Sequence, residues 1–241
     1  MRVLVIRPEM QALRTARKIA ELGHDAVVFP LFRPLQDPEA CRAALMTAHS
    51  ALAVSSAEAV RCLQQLGTEL APHLSTPIFC VGRSTGRVAE EAGFTNVISG
   101  KGTGRDLAGV VAGHFVATGQ PGGPVLYLAG RKRGGQFEAT LAEHGIACNT
   151  VEIYDMQPVN YSIEEQQALL VNKPVDAAFF FSRENAKAFF GLDVFVQSKE
   201  ALRKTLFFCL SRNIAEVVPE GMRNSAVVSL NPDEDELIDL L

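Results

Sequence analysis

Cationic side chains and small hydroxyls recur together at the ends of the apolar runs of this 241-residue sequence. Arg7, Arg83, Arg105, Arg131, Arg133, Arg183 and Arg212 each follow such a run, with Lys101 and Lys132 alongside. Ser55, Ser56, Ser84, Thr85, Thr103, Ser182 and Ser211 occupy the same turns. Guanidinium groups, hydroxyls and the open N–H groups of helix starts together make a receptor for carboxylate or phosphate anions. Taken singly, each serine reads as a helix cap and each arginine as a solvated charge. The repetition across nearly every turn is what points to a ligand.

Other chemistries lack their residues. GKGTG (100–104) and GRKRGG (130–135) fit neither the dinucleotide fingerprint nor the phosphate loop G-x-x-x-x-G-K-[ST]. The five His show no ligand spacing, and no Ser stands in a G-x-S-x-G elbow, so metal and triad chemistry are unsupported. Cys41, Cys62, Cys80, Cys148 and Cys209 are odd in number and form no C-x-x-C pair, and are expected to be buried thiols.

The elements that must position the cations are legible through an internal repeat. Residues 3–34 and 125–156 align without a gap, Val3 on Val125, Leu4 on Leu126, Gly23 on Gly145 and Phe32 on Tyr154. The echo continues with Ser56 on Ser182, Cys80 on Cys209, Arg83 on Arg212 and Leu107 on Leu237. A period of well over a hundred residues is too long for a solenoid and predicts two homologous domains, each with its own core. Within each copy, short apolar runs alternate with helical periodicity. This predicts an α/β protein with two parallel sheets, about ten strands in all, covered by helices on both faces. Ser55-x-x-Glu58 and Ser162-x-x-Glu165 read as capping boxes, and NPDEDELIDLL as a terminal helix with acidic residues at its positive end. PLFRPLQDP, with three prolines, and DMQP read as connectors, and QPGGP (120–124) as a boundary.

An apolar content of 47% without any run long enough to cross a bilayer marks a soluble globular chain. MRVLVIRPEM has a charge inside its apolar run and no small-residue cleavage site, so it reads as a first strand, and a cytoplasmic location is expected. A formal charge of −4 gives no reason to expect nucleic acid, so an anionic ligand must be met by local charge.

At VLVIRP (3–8), VSSAEAV (54–60), FCVGRSTG (79–86), YLAGRKRG (127–134), VEIYD (151–155), FFFSRENA (179–186) and CLSRNIAE (209–216), the sequence resembles the uroporphyrinogen-III synthases over essentially its whole length. The resemblance implies a cofactor-free lyase. It would close the linear tetrapyrrole hydroxymethylbilane into uroporphyrinogen III, inverting the last ring through a spiro intermediate. It implies two flavodoxin-like domains, each a parallel five-stranded sheet with helices on both faces, and a swapped N-terminal unit. Residues 1–34 would join 156–241 in one domain, 36–153 would form the other, and the connectors near 31–37 and 152–158 would be a paired hinge. A monomer without membrane or nucleic-acid partners is expected.

The anion receptor suits a substrate with eight carboxylates, and Arg7, Ser55, Ser56, Arg83, Ser84, Thr85, Thr103, Arg131, Lys132, Ser182, Ser211 and Asn213 are the expected binding residues. Thr85 matches the family's turn in the first half. In SRNIAE the family's Thr is missing, so Asn213 and Ile214 depart from the pattern, and Ser211 or Asn213 would substitute. Tyr154 matches a family tyrosine that faces the cleft. It is the hinge position where the two copies differ by a hydroxyl, Phe32 being its partner, and a proton-donor role is expected of it. Two rivals stand beside this reading: a two-lobed anion-binding module without catalysis, and an enzyme using a nucleotide or flavin at the switch point of the sheet.

Overall fold

The computed structural model describes residues 1–119, 123–197 and 199–241, so most of the expected QPGGP boundary lies outside the described residues. The described residues form strands β1 (Arg2–Ile6), β2 (Asp25–Val28), β3 (Phe32–Gln36), β4 (Ala51–Val54), β5 (Ile78–Cys80) and β6 (Val97–Ser99). They continue with β7 (Val125–Gly130), β8 (Cys148–Pro158), β9 (Ala177–Phe180), β10 (Leu206–Cys209) and β11 (Ala226–Val228). The chain divides into two compact units, Met1–Arg33 with Gln157–Leu241, and Pro34–Met156.

The first unit holds a five-stranded sheet in the order β11-β10-β9-β1-β2, all pairs parallel. Its strands are near-continuous apolar runs because both faces are covered. Side chains alternate between faces: Leu4, Ile6, Ala178, Phe180 and Phe207 pack with Leu170, Ala186 and Phe189 on one side. Val3, Val5, Ala177, Phe179 and Phe208 pack with Ala12, Ile19, Leu237 and Ile238 on the other. The expected capping box closes on the helix Ile163–Leu170, and Asp233 caps the acidic terminal helix Glu234–Ile238.

The second unit holds a sheet in the order β3-β8-β7-β4-β5-β6, in which β8, β7, β4, β5 and β6 are mutually parallel. Leu52, Val54, Ile78, Leu126 and Leu128 face one core. Ala51, Ala53, Phe79, Val125 and Ala129 face the other. Taking β7 and β8 first, then β4, β5 and β6, this is the same spatial order as in the first unit, the 2-1-3-4-5 order of flavodoxin-like sheets. In such sheets ligands bind beyond the carboxyl ends of the strands.

Two expectations are corrected. The second sheet has six strands rather than five, because connector residues Phe32–Gln36 add β3 beside β8. Val159 N–H donates to Leu31 O (2.9 Å) and Asp37 N–H to Ile153 O (2.8 Å), so the two connectors run in opposite directions. Pro34 is tolerated there because β3 is an edge strand with no ladder bond to lose on its outer side. The helix Ala57–Gln64 is capped by Ser56, whose Oγ accepts the Glu58 N–H (3.2 Å), not by Ser55.

Candidate functional site at the carboxyl edge of the second sheet

The loops after β4, β5, β6 and β7 and the side chain of Tyr154 on β8 meet along one edge. Val81 N–H donates to Val54 O (3.0 Å), Gly102 N–H to Val81 O (2.8 Å) and Arg131 N–H to Tyr154 O (3.0 Å), stitching each loop to its neighbour. Ser55, Ser56, Arg83, Ser84, Thr85, Thr103, Arg131, Lys132 and Tyr154 therefore share this edge of the second unit. Arg7, Ser182, Ser211 and Asn213 lie at the corresponding edge of the first.

Tyr154 is half-buried, and a bulge aims it. Along β7 and β8 Ala129 pairs with Glu152 but Gly130 pairs with Tyr154, so Ile153 is the extra residue. The ring lies against Gly130: a Cβ added there would stand 2.7 Å from Cζ and 2.8 Å from the hydroxyl. Burial raises the phenol above its ordinary value, and the nearby Ser56 hydroxyl pulls partly the other way. Ser56 Oγ accepts the Glu58 N–H, which leaves its own proton for another acceptor.

Ser55 is held in a parallel manner. Its Oγ is 2.6 Å from the hydroxyl of Tyr127, a residue 2% exposed whose ring packs edge-on against Phe137 at 4.7 Å. Burial raises the Tyr127 phenol, chiefly by desolvation. Of the two successive serines after β4, Ser55 is thus bonded to Tyr127 on the adjacent β7, and Ser56 lies near Tyr154 on β8, one strand further out. Sequence reasoning passed over Tyr127 and Gly130. The available signal for the first was a phenol inside a buried run, since a buried tyrosine hydroxyl needs a partner.

The cations fall into two groups. Arg83 and Lys132, with Lys101 and Arg105, are exposed and make no side-chain hydrogen bond or ion pair among the described residues. The helix Arg83–Glu91 starts at Gly82 without a side-chain cap, which leaves its first-turn N–H groups to other acceptors. Arg131 is only loosely paired, 3.5 Å from Glu152 and 3.8 Å from Asp155. Arg133 is committed to the protein: it donates to Glu138 (2.8 Å), Glu152 (2.8 Å) and the Gly130 carbonyl (3.1 Å). That pairing raises Arg133, with Glu152 the leading cause, and lowers Glu152 in turn.

The hydroxyls divide likewise. Ser84 is exposed, whereas Thr85 is 4% exposed and belongs to the interior of its helix. Thr103 caps the helix Gly104–Thr118, accepting the Asp106 N–H (3.1 Å) and donating to its carboxylate (2.7 Å).

In the first unit Arg7 donates to Thr15 (3.1 Å) and Glu234 (2.7 Å) and lies over the Phe181 ring at 4.1 Å, so its guanidinium is engaged by the protein. Ser182 caps the helix Arg183–Phe190 and also accepts from the Asn185 amide (2.8 Å). Asn213 Oδ1 accepts from Arg183 (2.8 Å). Ser211 makes no capping bond and lines a cavity of about 240 Å³ with Arg212, Ser229 and Leu230 at the ends of β10 and β11. Among the described residues no cluster of His, Cys, Asp and Glu could hold a metal ion, and no helix is long and apolar enough to cross a membrane.

The profile of the family described as uroporphyrinogen-III synthase HemD matches residues 14–239. The structure is similar to that of uroporphyrinogen-III synthetase from Helicobacter pylori, at 16% identity and a TM-score of 0.60, covering 100% of this chain and 98% of that one. It is also similar to a mutant uroporphyrinogen III synthase from the extremely thermophilic bacterium Thermus thermophilus, at 18% identity and a TM-score of 0.59, covering 99% and 96%. At such identities the likeness is one of fold. No curated protein sequence matches the chain.

Proposed function

The chain belongs to the uroporphyrinogen-III synthase family, and from that premise we propose that it cyclises hydroxymethylbilane to uroporphyrinogen III with inversion of the last ring. The observation that carries the reading is the edge of the second sheet, where exposed Arg83 and Lys132 share a surface with the half-buried Tyr154 hydroxyl. Carboxylates of the substrate arms would bind the cations, and the exposed Ser84 and the uncapped helix start beside it supply further donors.

The bilane loses its terminal hydroxyl as water. Tyr154 supplies the proton from its half-buried phenol, which keeps that proton at neutral pH. The electrophilic carbon so formed bonds to the substituted carbon of the last pyrrole, giving the spiro centre. Its bond to the neighbouring bridge then breaks and re-forms at the free carbon, which releases a proton on aromatisation. One proton enters and one leaves, and no electron is gained or lost, so the reaction demands no redox cofactor. Unaided closure gives the symmetric isomer, and the enzyme's task is to hold one pyrrole carbon over another. Proximity of this kind supplies ~7–11 kcal/mol in favourable cases.

We read the two units as copies of one ancestral fold with the swapped layout described above, a reading supported by their common strand order. Incubation of the purified chain with hydroxymethylbilane, followed by separation of the type I and type III products, tests the function. Type III in excess is expected. Type I at the uncatalysed rate despite saturable binding would instead make the chain an anion-binding module.

A further inference from the structure

Resting on the reading of Tyr154 as proton donor, we infer that Gly130 is a positioning residue, whose missing Cβ makes the seat in which the Tyr154 phenol lies.

The conformation of Gly130 does not demand glycine, because it is absent from the residues of positive φ. The reason lies in what faces it. An added Cβ would meet three atoms of the Tyr154 ring, Cζ at 2.7 Å, the hydroxyl at 2.8 Å and Cε2 at 2.9 Å, and these are the three closest heavy atoms. Carbon atoms attract best at separations of ~3.5–4.0 Å, so the ring would have to leave. All three atoms belong to the far end of a side chain, which moves more cheaply than backbone. The substitution should therefore displace the phenol rather than unfold the sheet.

Gly130 itself is well anchored. The bulge sets it opposite Tyr154, the next N–H donates to the Tyr154 carbonyl (3.0 Å), and Arg133 holds its own carbonyl (3.1 Å). The repeat provides an internal comparison. In register with Gly130 and Tyr154 the first copy has Pro8 and Phe32, while Ser182 matches Ser56. Where the ring of the first copy carries no hydroxyl, the position in register with Gly130 carries a side chain.

The test uses the full chain with Gly130→Ala, Tyr154→Phe and the double variant. Gly113→Ala, at an exposed helical glycine with nothing within 4 Å of an added Cβ, is the control. Ultraviolet titration, each protein read against its Tyr154→Phe counterpart, isolates this phenol. Burial is the leading cause of its raised value, so displacement in Gly130→Ala should move it down toward the ordinary ~10.

Type III turnover should fall at least tenfold, roughly, toward the ~10²–10⁴ range of general-acid assistance, with KM little changed. In the Tyr154→Phe background the same alanine should cost less than about twofold, since residues acting as one unit are not additive. An unmoved titration, or losses that multiply, would overturn the assignment. If Gly130→Ala loses stability, Gly130→Ala with Tyr154→Ala must be as stable as Tyr154→Ala alone; a remaining deficit also overturns it. Parent turnover in Tyr154→Phe would end the donor reading alone, since the titration reports the seat independently.

Discussion

The Arg7 guanidinium stands 2.7 Å from Glu234 Oε2, across 227 positions of chain, and joins the end of β1 to the terminal helix. With side chains 18% and 29% exposed, the pair is largely withdrawn from water. Glu234→Gln should therefore lower stability by about 1.5–3 kcal/mol, the usual worth of a hydrogen bond to a charged group. Urea denaturation checks this. KM for the bilane should stay within about twofold of the parent at temperatures where both are folded, because an engaged guanidinium is not a carboxylate clamp.

Lys132 and Arg133 are neighbours with different expected fates. Lys132 has no protein partner among the described residues, so Lys132→Ala should leave the unfolding midpoint unchanged and raise KM several-fold, by the roughly 1–2 kcal/mol of one partly solvated charge-assisted contact. Arg133→Ala removes bonds to Glu138, Glu152 and Gly130 and should cost on the order of 1 kcal/mol of stability. Paired urea melts and initial-rate measurements separate the two.

Tyr154→Phe should lower type III formation by ~10²–10⁴ with folding intact and type I enriched. The raised phenol keeps its proton through neutral pH, so the donor should be lost only above about 10, the ordinary tyrosine value. An alkaline limb in the parent pH–rate profile should be missing from the variant.

Stability should decline on the alkaline side. Burial pushes the Cys80 and Cys209 thiols from 9.0 up to about 12, and it raises the Tyr127 and Tyr154 phenols as well. Each group keeps its proton in the folded state to a higher pH than in the unfolded one. The unfolded state thus binds fewer protons above pH 9, and stability falls as pH rises through the window from 9 toward 12. Urea melts across that range should show the decline, and Cys80→Ala should make it shallower.

Much of the fold was legible because both repeat and alternation are written in apolar residues. Val3–Ile6 and Val125–Leu128 announce buried strands, and Gly23 and Gly145 end their helices at φ +83° and +68°, a region that favours glycine. The edge strand β3 was hidden by Pro34 within it and Pro30 and Pro38 around it, which a sequence presents as breakers whether or not an outer strand edge tolerates them.

At the site, residue type was visible but commitment was not. Arg7 and Lys132 look alike as cations after a strand, and only the fold brings Glu234 to the first of them. Ser55 and Ser56 were both visible, but which one caps depends on the residue at which the helix begins, and Ser55 is instead held by a tyrosine that only the fold brings to it. Gly130 was invisible in principle, because its contribution is a space, and the occupant of that space lies 24 positions on and is aimed by a bulge.

The order of the strands sets a timetable for synthesis. β4 to β8 are consecutive in the chain, so the second parallel sheet can close as soon as residue 158 has left the ribosome. β1 emerges first yet pairs only with β2 and β9, and β9 begins at Ala177. At ~5–20 residues per second, the nascent chain carries Val3–Ile6 with an unfilled strand edge for many seconds. That edge is an invitation to pair with another nascent chain. The waiting strand-helix-strand segment, rather than the finished protein, is where a holding chaperone would be most needed.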